Sequence, residues 1–317
     1  MSTLLTWPQI EPLIKELNVH EAMKNAFIQY SLGHAEIPPV GELIMDDPEG
    51  EVHIKYGYLK GGKHYVIKIA SGFPANEQLG LIPGQGMMLL FNLATGEPEA
   101  ILIDDANLTI IRTAIAGALA SQALANKDTV EALIIGTGVQ ARYQAKYLCE
   151  LMSIKKIKLW GRDDKKTQMV KKDLTDLNIE IRIEDHLEDA VRSSQLIITT
   201  TSAKKAIIQS DWVMPGTHIT AVGSDTPEKC ELDFNILAKA EVIIADSIEQ
   251  NLIRGEIHQA IKNKVIDKSE LIEIGEIFNR TRNGRTSSEQ ISIADLTGVA
   301  IQDLVIAEAV LNAHNKN

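Results

Sequence analysis

The spacing of apolar residues changes character along the chain and divides it into two patterns. Across residues 7–33 the apolar positions recur every three to four residues, which predicts helix. Short extended segments separated by turn residues follow at 41–45, 52–59, 64–70, 87–92 and 99–103. They predict an antiparallel meander of five or six strands. Residues 104–125 then form a helix-rich bridge, whose repeated alanines permit a close helix contact.

From residue 130 onward, apolar runs typical of strands alternate with helical segments. Strands are predicted at 130–135, 156–160, 179–183, 195–200, 217–222 and 241–245, and helices at about 139–152, 164–177 and 233–239. This alternation predicts a doubly wound, mostly parallel sheet. The last apolar segment, residues 291–313, is predicted to return to the first domain as a helix.

A glycine turn follows the first strand of this second pattern. Gly136, Gly138 and Ala141 match the G-x-G-x-x-A form of the dinucleotide fingerprint. The first glycine allows a tight turn, and the second lets the backbone approach a pyrophosphate at the helix N-terminus. The alternative is a βα turn that is merely well packed. The predicted cofactor contacts here are Gly136, Thr137, Gly138, Val139 and Gln140.

Strand ends supply further candidate cofactor contacts. After the second strand, where an enzyme that uses NAD usually carries an acid for the ribose hydroxyls, the chain has Arg162, followed by Asp163. Arg162 can meet a 2′-phosphate, so we favour NADP over NAD. Thr200, Thr201 and Ser202 end another strand and are predicted to line the nicotinamide ribose, with ordinary turn capping as the alternative.

Composition and charge exclude several classes of partner. The 317 residues carry a net charge of −11, which disfavours binding to a nucleic-acid backbone and requires a local cluster of cations for any anionic ligand. The chain shows no basic N-terminal signal and no apolar run near the ~18 residues of a membrane span, so we expect a cytoplasmic protein. Cys149 and Cys230 lack metal-type spacing and are expected to be reduced thiols, with no metal site.

Several motifs together resemble the ornithine cyclodeaminase/mu-crystallin family. They are the glycine turn, RTA at 112–114, VGSDTP at 222–227, Lys68 within IKIASGFP, WGR at 160–162 and DLTG at 295–298. The resemblance covers nearly the whole chain. It implies an α/β protein in which a Rossmann dinucleotide-binding domain, residues 114–292, is inserted into an α+β domain. That second domain, residues 1–113 plus 293–317, would bind substrate and form a homodimer.

The resemblance also implies a reaction class. Members of the family bind a nicotinamide cofactor and exchange hydride at the α-carbon of an amino or imino acid. We therefore expect NAD(P)H-dependent reduction of a small imino acid, a ketimine such as pyrroline-2-carboxylate, to the L-amino acid. The alternatives are an ornithine cyclodeaminase that forms proline and ammonia with catalytic NAD, an amino-acid dehydrogenase of the alanine or iminosuccinate type, and a non-catalytic binding protein.

The resemblance assigns chemical roles to three residues. Arg112 would clamp the substrate carboxylate, although an arginine at the start of a helix is more often a surface residue or a salt-bridge partner. Lys68 would bind the carboxylate or share a proton with the substrate nitrogen, unless it faces outward on an alternating strand. Asp225 would relay the proton to that nitrogen, with an Asx turn or a helix cap as the alternative. The matching motifs add Thr113, Val222 and Gly223 as cofactor contacts.

One departure from the cyclodeaminase pattern bears on the activity. Cyclodeaminases carry a further arginine just after the opening helices, and residues 37–42 of this chain contain none. His53 and Lys55 alternate on the following strand and therefore lie on one face, where they either bind a second substrate carboxylate or are solvated. This departure favours a reductase or dehydrogenase over a cyclodeaminase.

Overall fold

The computed structural model describes residues 2–316 and divides into two compact units. Unit 1 contains the chain up to Arg112 and again from Val299, and unit 2 spans Thr113–Gly298. The helices are α1 (Trp7–Lys15), α2 (His20–Ser31), α3 (Asn107–Leu124), α4 (Val139–Leu151), α5 (Asp164–Asp173), α6 (Leu187–Arg192), α7 (Asn235–Lys239), α8 (Ile248–Asn251), α9 (Gly255–Lys262), α10 (Ile274–Phe278) and α11 (Ala300–His314). The strands are β1 (Thr3–Thr6), β2 (Ala35–Glu36), β3 (Gly41–Asp46), β4 (Glu49–Leu59), β5 (His64–Gly72), β6 (Gly84–Asn92), β7 (Pro98–Ile103), β8 (Glu131–Ile135), β9 (Lys156–Trp160), β10 (Glu180–Ile183), β11 (Leu196–Thr199), β12 (His218–Ala221), β13 (Val242–Ala245), β14 (Leu271–Glu273) and β15 (Ser292–Asp295).

Unit 1 is built on one sheet of order β1-β7-β6-β5-β4-β2, with β3 paired to β4. Strands β3 to β7 form the predicted antiparallel meander, and β1 adds to its edge in parallel with β7. The predicted helix over residues 7–33 is instead two helices, α1 and α2, and the short strands β1 and β2 were not predicted. Helix α11 packs against β4, β5, β6 and both N-terminal helices.

Alternation along β5 sets the face that α11 covers. His64, Val66 and Lys68 are buried at every second position, and His64 Nδ1 lies 2.7 Å from Glu308 Oε1 on α11. The other ring nitrogen, Nε2, lies 2.9 Å from Glu99 Oε2 on β7. The imidazole therefore ties the C-terminal helix to two strands of the sheet.

Unit 2 contains an eight-stranded sheet of order β10-β9-β8-β11-β12-β15-β13-β14, in which every pairing is parallel. Both faces are covered. Leu133 and Ile135 of β8 belong to one apolar cluster, and Ala132 and Ile134 belong to another. Such a doubly covered parallel sheet is the Rossmann arrangement, which confirms the predicted fold class.

The C-terminal boundary of unit 2 differs from the prediction. Residues 291–313 are not one helix, because Ser292–Asp295 form β15 between β12 and β13 and only α11 follows as helix. Residues 293–298, expected in the first domain, accordingly lie in unit 2. Strand β14 was also not predicted. Within residues 2–316, no helix combines the length and apolar character that crossing a membrane requires.

The bridge helix α3 has the close contact that its small residues predict. Gly117 faces Gln144 of α4 so closely that a Cβ at position 117 would overlap the amide. Ala118 packs with Ala141 and Ala145 in the same apolar cluster. Small side chains on both helices therefore let the second half of α3 lie directly on α4.

We expect the His64 contacts to make stability depend on pH. Burial lowers the pKa of His64, but the hydrogen bonds to Glu308 and Glu99 outweigh it and raise that pKa above its ordinary value. The charged imidazole therefore stabilises the fold below about pH 6.5, and this contribution is lost as the pH rises through the raised value. His64→Gln should lower the free energy of unfolding by roughly 1 kcal/mol more at pH 5.5 than at pH 9, measured by urea denaturation.

A matched control is His34→Gln, because His34 is an exposed histidine of the same unit. It should show no difference between the two pH values. An equal loss of stability at both pH values in His64→Gln would remove the proposed charge effect.

Candidate active site

The turn between β8 and α4 needs glycine at two positions for different reasons. Gly136 has φ of +130°, and a Cβ there would overlap the hydroxyl of Thr200 and crowd its carbonyl. Gly138 has an ordinary φ of −77°, and a Cβ there would meet nothing within 4 Å. The first glycine therefore serves the fold, and the second leaves open space at the N-terminus of α4. Such space lets a phosphate group approach the backbone N–H groups.

This turn opens into a cleft of about 1050 Å³ in unit 2. Nine predicted cofactor contacts line it: Gly136, Thr137, Gly138, Val139, Gln140, Arg162, Thr200, Thr201 and Ser202. The carboxyl ends of β8, β9 and β11 thus open into one space, as parallel strands of a Rossmann sheet require. Sequence reasoning did not single out the cations Lys166, Lys204 and Lys205, which also line the cleft.

Three other predicted contacts lie outside the lining of this cleft. Thr113 uses its carbonyl to accept a hydrogen bond from Gln144 Nε2, at 3.3 Å. Val222 is buried in the apolar cluster that covers one face of the sheet. Gly223 lies so close to the backbone of Thr201 that a side chain there would overlap it. In unit 2 these residues serve packing and hydrogen bonding, and their part in binding a cofactor remains a prediction.

The end of β9 presents positive charge to the cleft. Gly161, Arg162 and Asp163 follow the strand, and Asp163 is the N-cap of α5. Its Oδ1 accepts a hydrogen bond from the backbone N–H of Lys166 at 3.1 Å. The first acid after this strand is therefore engaged in capping, while the Arg162 and Lys166 side chains border the same space.

A buried acid that the sequence did not reveal holds the ends of two neighbouring strands. Glu231 accepts hydrogen bonds from Thr199 Oγ1 at 2.7 Å, from the Thr201 N–H, and from the Gly223 N–H at 3.0 Å. Burial raises the pKa of Glu231, and these hydrogen bonds oppose the rise. One carboxyl group thus fixes the backbone of the loops after β11 and β12.

Asp225, the predicted proton relay, lies in the loop after β12. Its Oδ1 is 2.6 Å from Lys229 Nζ, and its backbone carbonyl accepts a hydrogen bond from Arg254 Nη1 at 3.1 Å. The Asp225 side chain is 43% exposed. The carboxylate is therefore oriented by a lysine four residues later while staying open to solvent.

In unit 1, Arg112 is buried and held by two consecutive residues of α11. Its Nε donates to Asp303 Oδ1 at 2.9 Å, and its Nη1 donates to Gln302 Oε1 at 2.7 Å. Within residues 2–316, two atoms beside this guanidinium are buried without a hydrogen-bond partner, Gln302 Nε2 and Asp303 Oδ2. Neither residue was predicted, because the segment around them is strongly apolar and nothing local marks these two side chains.

Lys68 and Lys55 are direct cross-strand partners on β5 and β4. They are 2% and 6% exposed, and Arg112 is 4% exposed, so three cations are buried in one unit. His53 lies two residues before Lys55 on the same face, and its ring is 3.3 Å from Glu42 and 3.5 Å from Glu51. The structure therefore places both lysines in the buried face of the sheet and gives His53 acidic neighbours.

Asp104 is a further buried acid that sequence reasoning missed. Its Oδ2 accepts a hydrogen bond from the Leu108 N–H at 2.8 Å, at the start of α3. Burial raises the pKa of Asp104 to about 6, against the opposing hydrogen bond from Leu108, and the nearby charges of Asp303 and Lys68 act in opposite directions. The next two residues, Asp105 and Ala106, both have positive φ, 51° and 62°. Such strained backbone persists where the surrounding structure imposes it, often at functional sites.

The two glycines of the turn should respond differently to substitution. Gly138→Val fills the open space beside α4, so it should weaken NADPH binding at least tenfold while leaving the melting temperature nearly unchanged. Gly136→Ala should instead lower the free energy of unfolding by about 1–3 kcal/mol, because alanine must adopt a positive φ and clash with Thr200. Fluorescence titration with NADPH and thermal denaturation measure both effects. Wild-type NADPH affinity in a folded Gly138→Val protein would contradict a phosphate position at this turn.

Comparisons with known proteins agree with this fold. An uncharacterized cyclodeaminase of Sinorhizobium fredii is 37% identical over 302 residues, covering 94% of this chain and 91% of the relative. An archaeal alanine dehydrogenase dimer with bound NAD superposes with a TM-score of 0.91 and 32% identity, covering 99% and 96% of the two chains. Pyrroline-2-carboxylate reductase of Thermococcus litoralis, in complex with NADH and L-proline, superposes with a TM-score of 0.92 and 29% identity, covering 99% and 98%.

The family assignment rests on the whole chain. The model of the ornithine cyclodeaminase/mu-crystallin family matches residues 2–317, which include the glycine turn of unit 2 and the buried cations of unit 1. The resemblance seen in the motifs is thereby confirmed, and the chain belongs to the ornithine cyclodeaminase/mu-crystallin family.

Proposed function

We propose that this protein is an enzyme that reduces a small imino acid to the L-amino acid with a nicotinamide coenzyme, and that pyrroline-2-carboxylate is its first-choice substrate. The observation that carries the proposal is the burial of Lys55, Lys68 and Arg112 in one unit. A chain with a net charge of −11 needs a local cluster of cations to bind an anionic substrate, and a carboxylate has the charge that complements such a cluster. Relatives that are named a reductase and a dehydrogenase support this reaction class.

Different residues of the chain would carry out different parts of this reaction. Arg112 donates from Nε to Asp303 and from Nη1 to Gln302, and its other N–H groups would hold the substrate carboxylate. Lys68 would contribute a second positive charge to the same carboxylate or share a proton with the substrate nitrogen. Asp225, whose side chain is open to solvent, would relay a proton from water to that nitrogen, and the protonated nitrogen makes the imine carbon electrophilic. The reduced nicotinamide ring supplies the hydride when the coenzyme is bound in unit 2.

Two other activities within the family are supported by specific observations. The Sinorhizobium relative is named a cyclodeaminase, and the superposable archaeal structure is named an alanine dehydrogenase. A cyclodeaminase would convert ornithine to proline and ammonia with no net change in coenzyme. An alanine- or iminosuccinate-type dehydrogenase would act on a linear substrate. The lack of an arginine in residues 37–42 supports the reductase over the cyclodeaminase.

We expect rapid loss of absorbance at 340 nm when the protein meets NADPH and pyrroline-2-carboxylate. Asp225→Asn should lower kcat by roughly 10²- to 10⁴-fold and leave NADPH affinity unchanged, because the amide cannot donate the proton as an acid. The assay is a panel of imino and amino acids with NADH and NADPH in both directions. Glu228→Gln, an exposed acid of the same loop, is the matched control and should retain wild-type turnover.

Two outcomes would overturn this assignment. Ammonia release from ornithine without any change at 340 nm would make the protein a cyclodeaminase. Full turnover by Asp225→Asn would remove this aspartate from the mechanism.

We also propose that NADP is preferred over NAD. The residues that follow β9 support this preference. Arg162 and Lys166 border the cleft there, and Asp163 is used as the cap of α5. A guanidinium pairs with a 2′-phosphate, whereas a carboxylate at this position would pair with the ribose hydroxyls. The bound coenzymes of the two superposable structures, NAD and NADH, support a nicotinamide coenzyme in general.

Arg162→Ser should test the coenzyme preference. Losing a charge-assisted contact to the 2′-phosphate should raise the KM for NADPH about 10- to 100-fold and change the KM for NADH less than threefold. Lys165→Ser removes the same charge from an exposed position on α5 outside the cleft and is the control. Equal effects of Arg162→Ser on both coenzymes would reject the proposed phosphate contact.

We further propose that the protein is a homodimer that associates through the face of the unit 1 sheet opposite α11. Ile54 and Tyr56 alternate with the buried Lys55 and are exposed, and Leu43 of the neighbouring β3 is exposed on the same face because it pairs with Val52. The alanine dehydrogenase that superposes on this chain is described as a dimer. A mass in solution of twice the 34.9 kDa chain supports this proposal, and a monomer rejects it.

A further inference from the structure

We infer that Gln302 is a second donor to the substrate carboxylate, acting beside Arg112. This inference rests on the proposed function, because it names a further residue of the same substrate site. Gln302 lies in the first turn of α11. The C-terminal helix would then recognise the ligand directly as well as orienting the arginine.

The orientation of the amide group follows from its contact with Arg112. Gln302 Oε1 accepts from Arg112 Nη1 at 2.7 Å, so the oxygen must face the guanidinium. The opposite orientation would set the NH₂ group against the N–H groups of the arginine. The two N–H bonds of Gln302 Nε2 are therefore directed away from Arg112 Nη1, and Asp303 Oδ1 holds the same guanidinium through Nε.

The Nε2 group itself is the observation that points to a ligand. Gln302 is 1% exposed, and its Nε2 has no hydrogen-bond partner among residues 2–316. A buried donor that lacks a partner destabilises the fold, and a glutamate at this position would still accept from Arg112 without leaving an N–H group unpaired. The retained amide therefore indicates a partner from outside the chain.

The surroundings select an anionic partner. The positively charged guanidinium of Arg112 adjoins the amide, and Lys68 is another buried cation of this unit. Gln302 also lies in the first turn of the 15-residue helix α11, whose N-terminal end carries a partial positive charge. A carboxylate has two oxygens, so one can accept from the guanidinium while the other accepts from the amide.

Two substitutions of Gln302 separate the roles of its two amide atoms. Gln302→Glu keeps an oxygen for Arg112 but replaces the donor with a charged acceptor, and Gln302→Met removes both groups without adding charge. In Gln302→Met, both the KM for pyrroline-2-carboxylate and the Kd of the unreactive analogue pyrrole-2-carboxylate should rise about tenfold. The rise should be larger in Gln302→Glu. In both variants kcat and the Kd of NADPH should change less than threefold.

Gln9→Glu is the matched control, since Gln9 occupies the same third position of a helix in unit 1 and is exposed. It adds the same charge and should leave both carboxylate measurements unchanged. A folded Gln302→Met protein with wild-type KM and wild-type analogue Kd would overturn the inference. A wild-type protein that binds neither pyrrole-2-carboxylate nor L-proline would also overturn it.

Two features of the design keep the result interpretable. The analogue Kd does not depend on turnover, so failure of the proposed reductase activity and failure of this contact give different results. If the variants do not fold, the wild-type protein labelled with ¹⁵N-glutamine provides the test. The side-chain amide resonance of Gln302 should shift on addition of pyrrole-2-carboxylate while that of Gln9 stays in place, and no shift at Gln302 would reject the contact.

Discussion

The buried ion pair between Arg112 and Asp303 is the interaction on which unit 1 depends. It joins positions 191 residues apart in sequence, and both side chains are almost fully removed from solvent. Removing one partner of such a pair typically costs about 3–5 kcal/mol, because the other charge remains buried without compensation. The first 112 residues and the C-terminal helix therefore fold as one body, although the whole of unit 2 separates them in sequence. The contact between Glu308 of α11 and His64 of β5 also holds the C-terminal helix against the sheet.

In unit 2, buried acids fix the loops that follow β11 and β12. Glu231 receives the backbone N–H groups of Thr201 and Gly223, and Glu256 in turn receives the N–H groups of Glu231 and Leu232. Burial raises the pKa of both glutamates. A carboxyl group with a raised pKa takes up a proton more readily. Its neutral form can be buried at the end of a strand without a cation beside it. Unit 1 thus orients its candidate substrate residues with paired charges, and unit 2 orients its cleft with hydrogen bonds to buried acids.

The parts of the fold that the sequence predicted are those with a strong local signal. The apolar runs at β8, β9, β11, β12 and β13 and the glycine turn after β8 are recognisable because their pattern repeats or their geometry needs glycine. Strand β15 was missed because Ser292–Asp295 begin the apolar segment 291–313, which was predicted to be a helix, and they form a strand by pairing with β12 and β13. The same holds for Gln302 and Asp303, whose polar side chains interrupt an apolar helix without revealing that Arg112 lies beside them. Motif matching proposed Thr113, Val222 and Gly223 as cofactor contacts, but their packing roles in unit 2 depend on neighbours that no motif contains.

The sequence by itself determined the two patterns of periodicity, the glycine turn at Gly136 and Gly138, and the family, because each depends on residues close together in the chain. Only the tertiary structure decided which polar residues are buried together, including the partners of Arg112, the acids behind the cleft and the boundary at Val299. Electrostatic and hydrogen-bond energies depend on distance and burial in space, and residues nearly 200 positions apart acquire these only when the chain is folded.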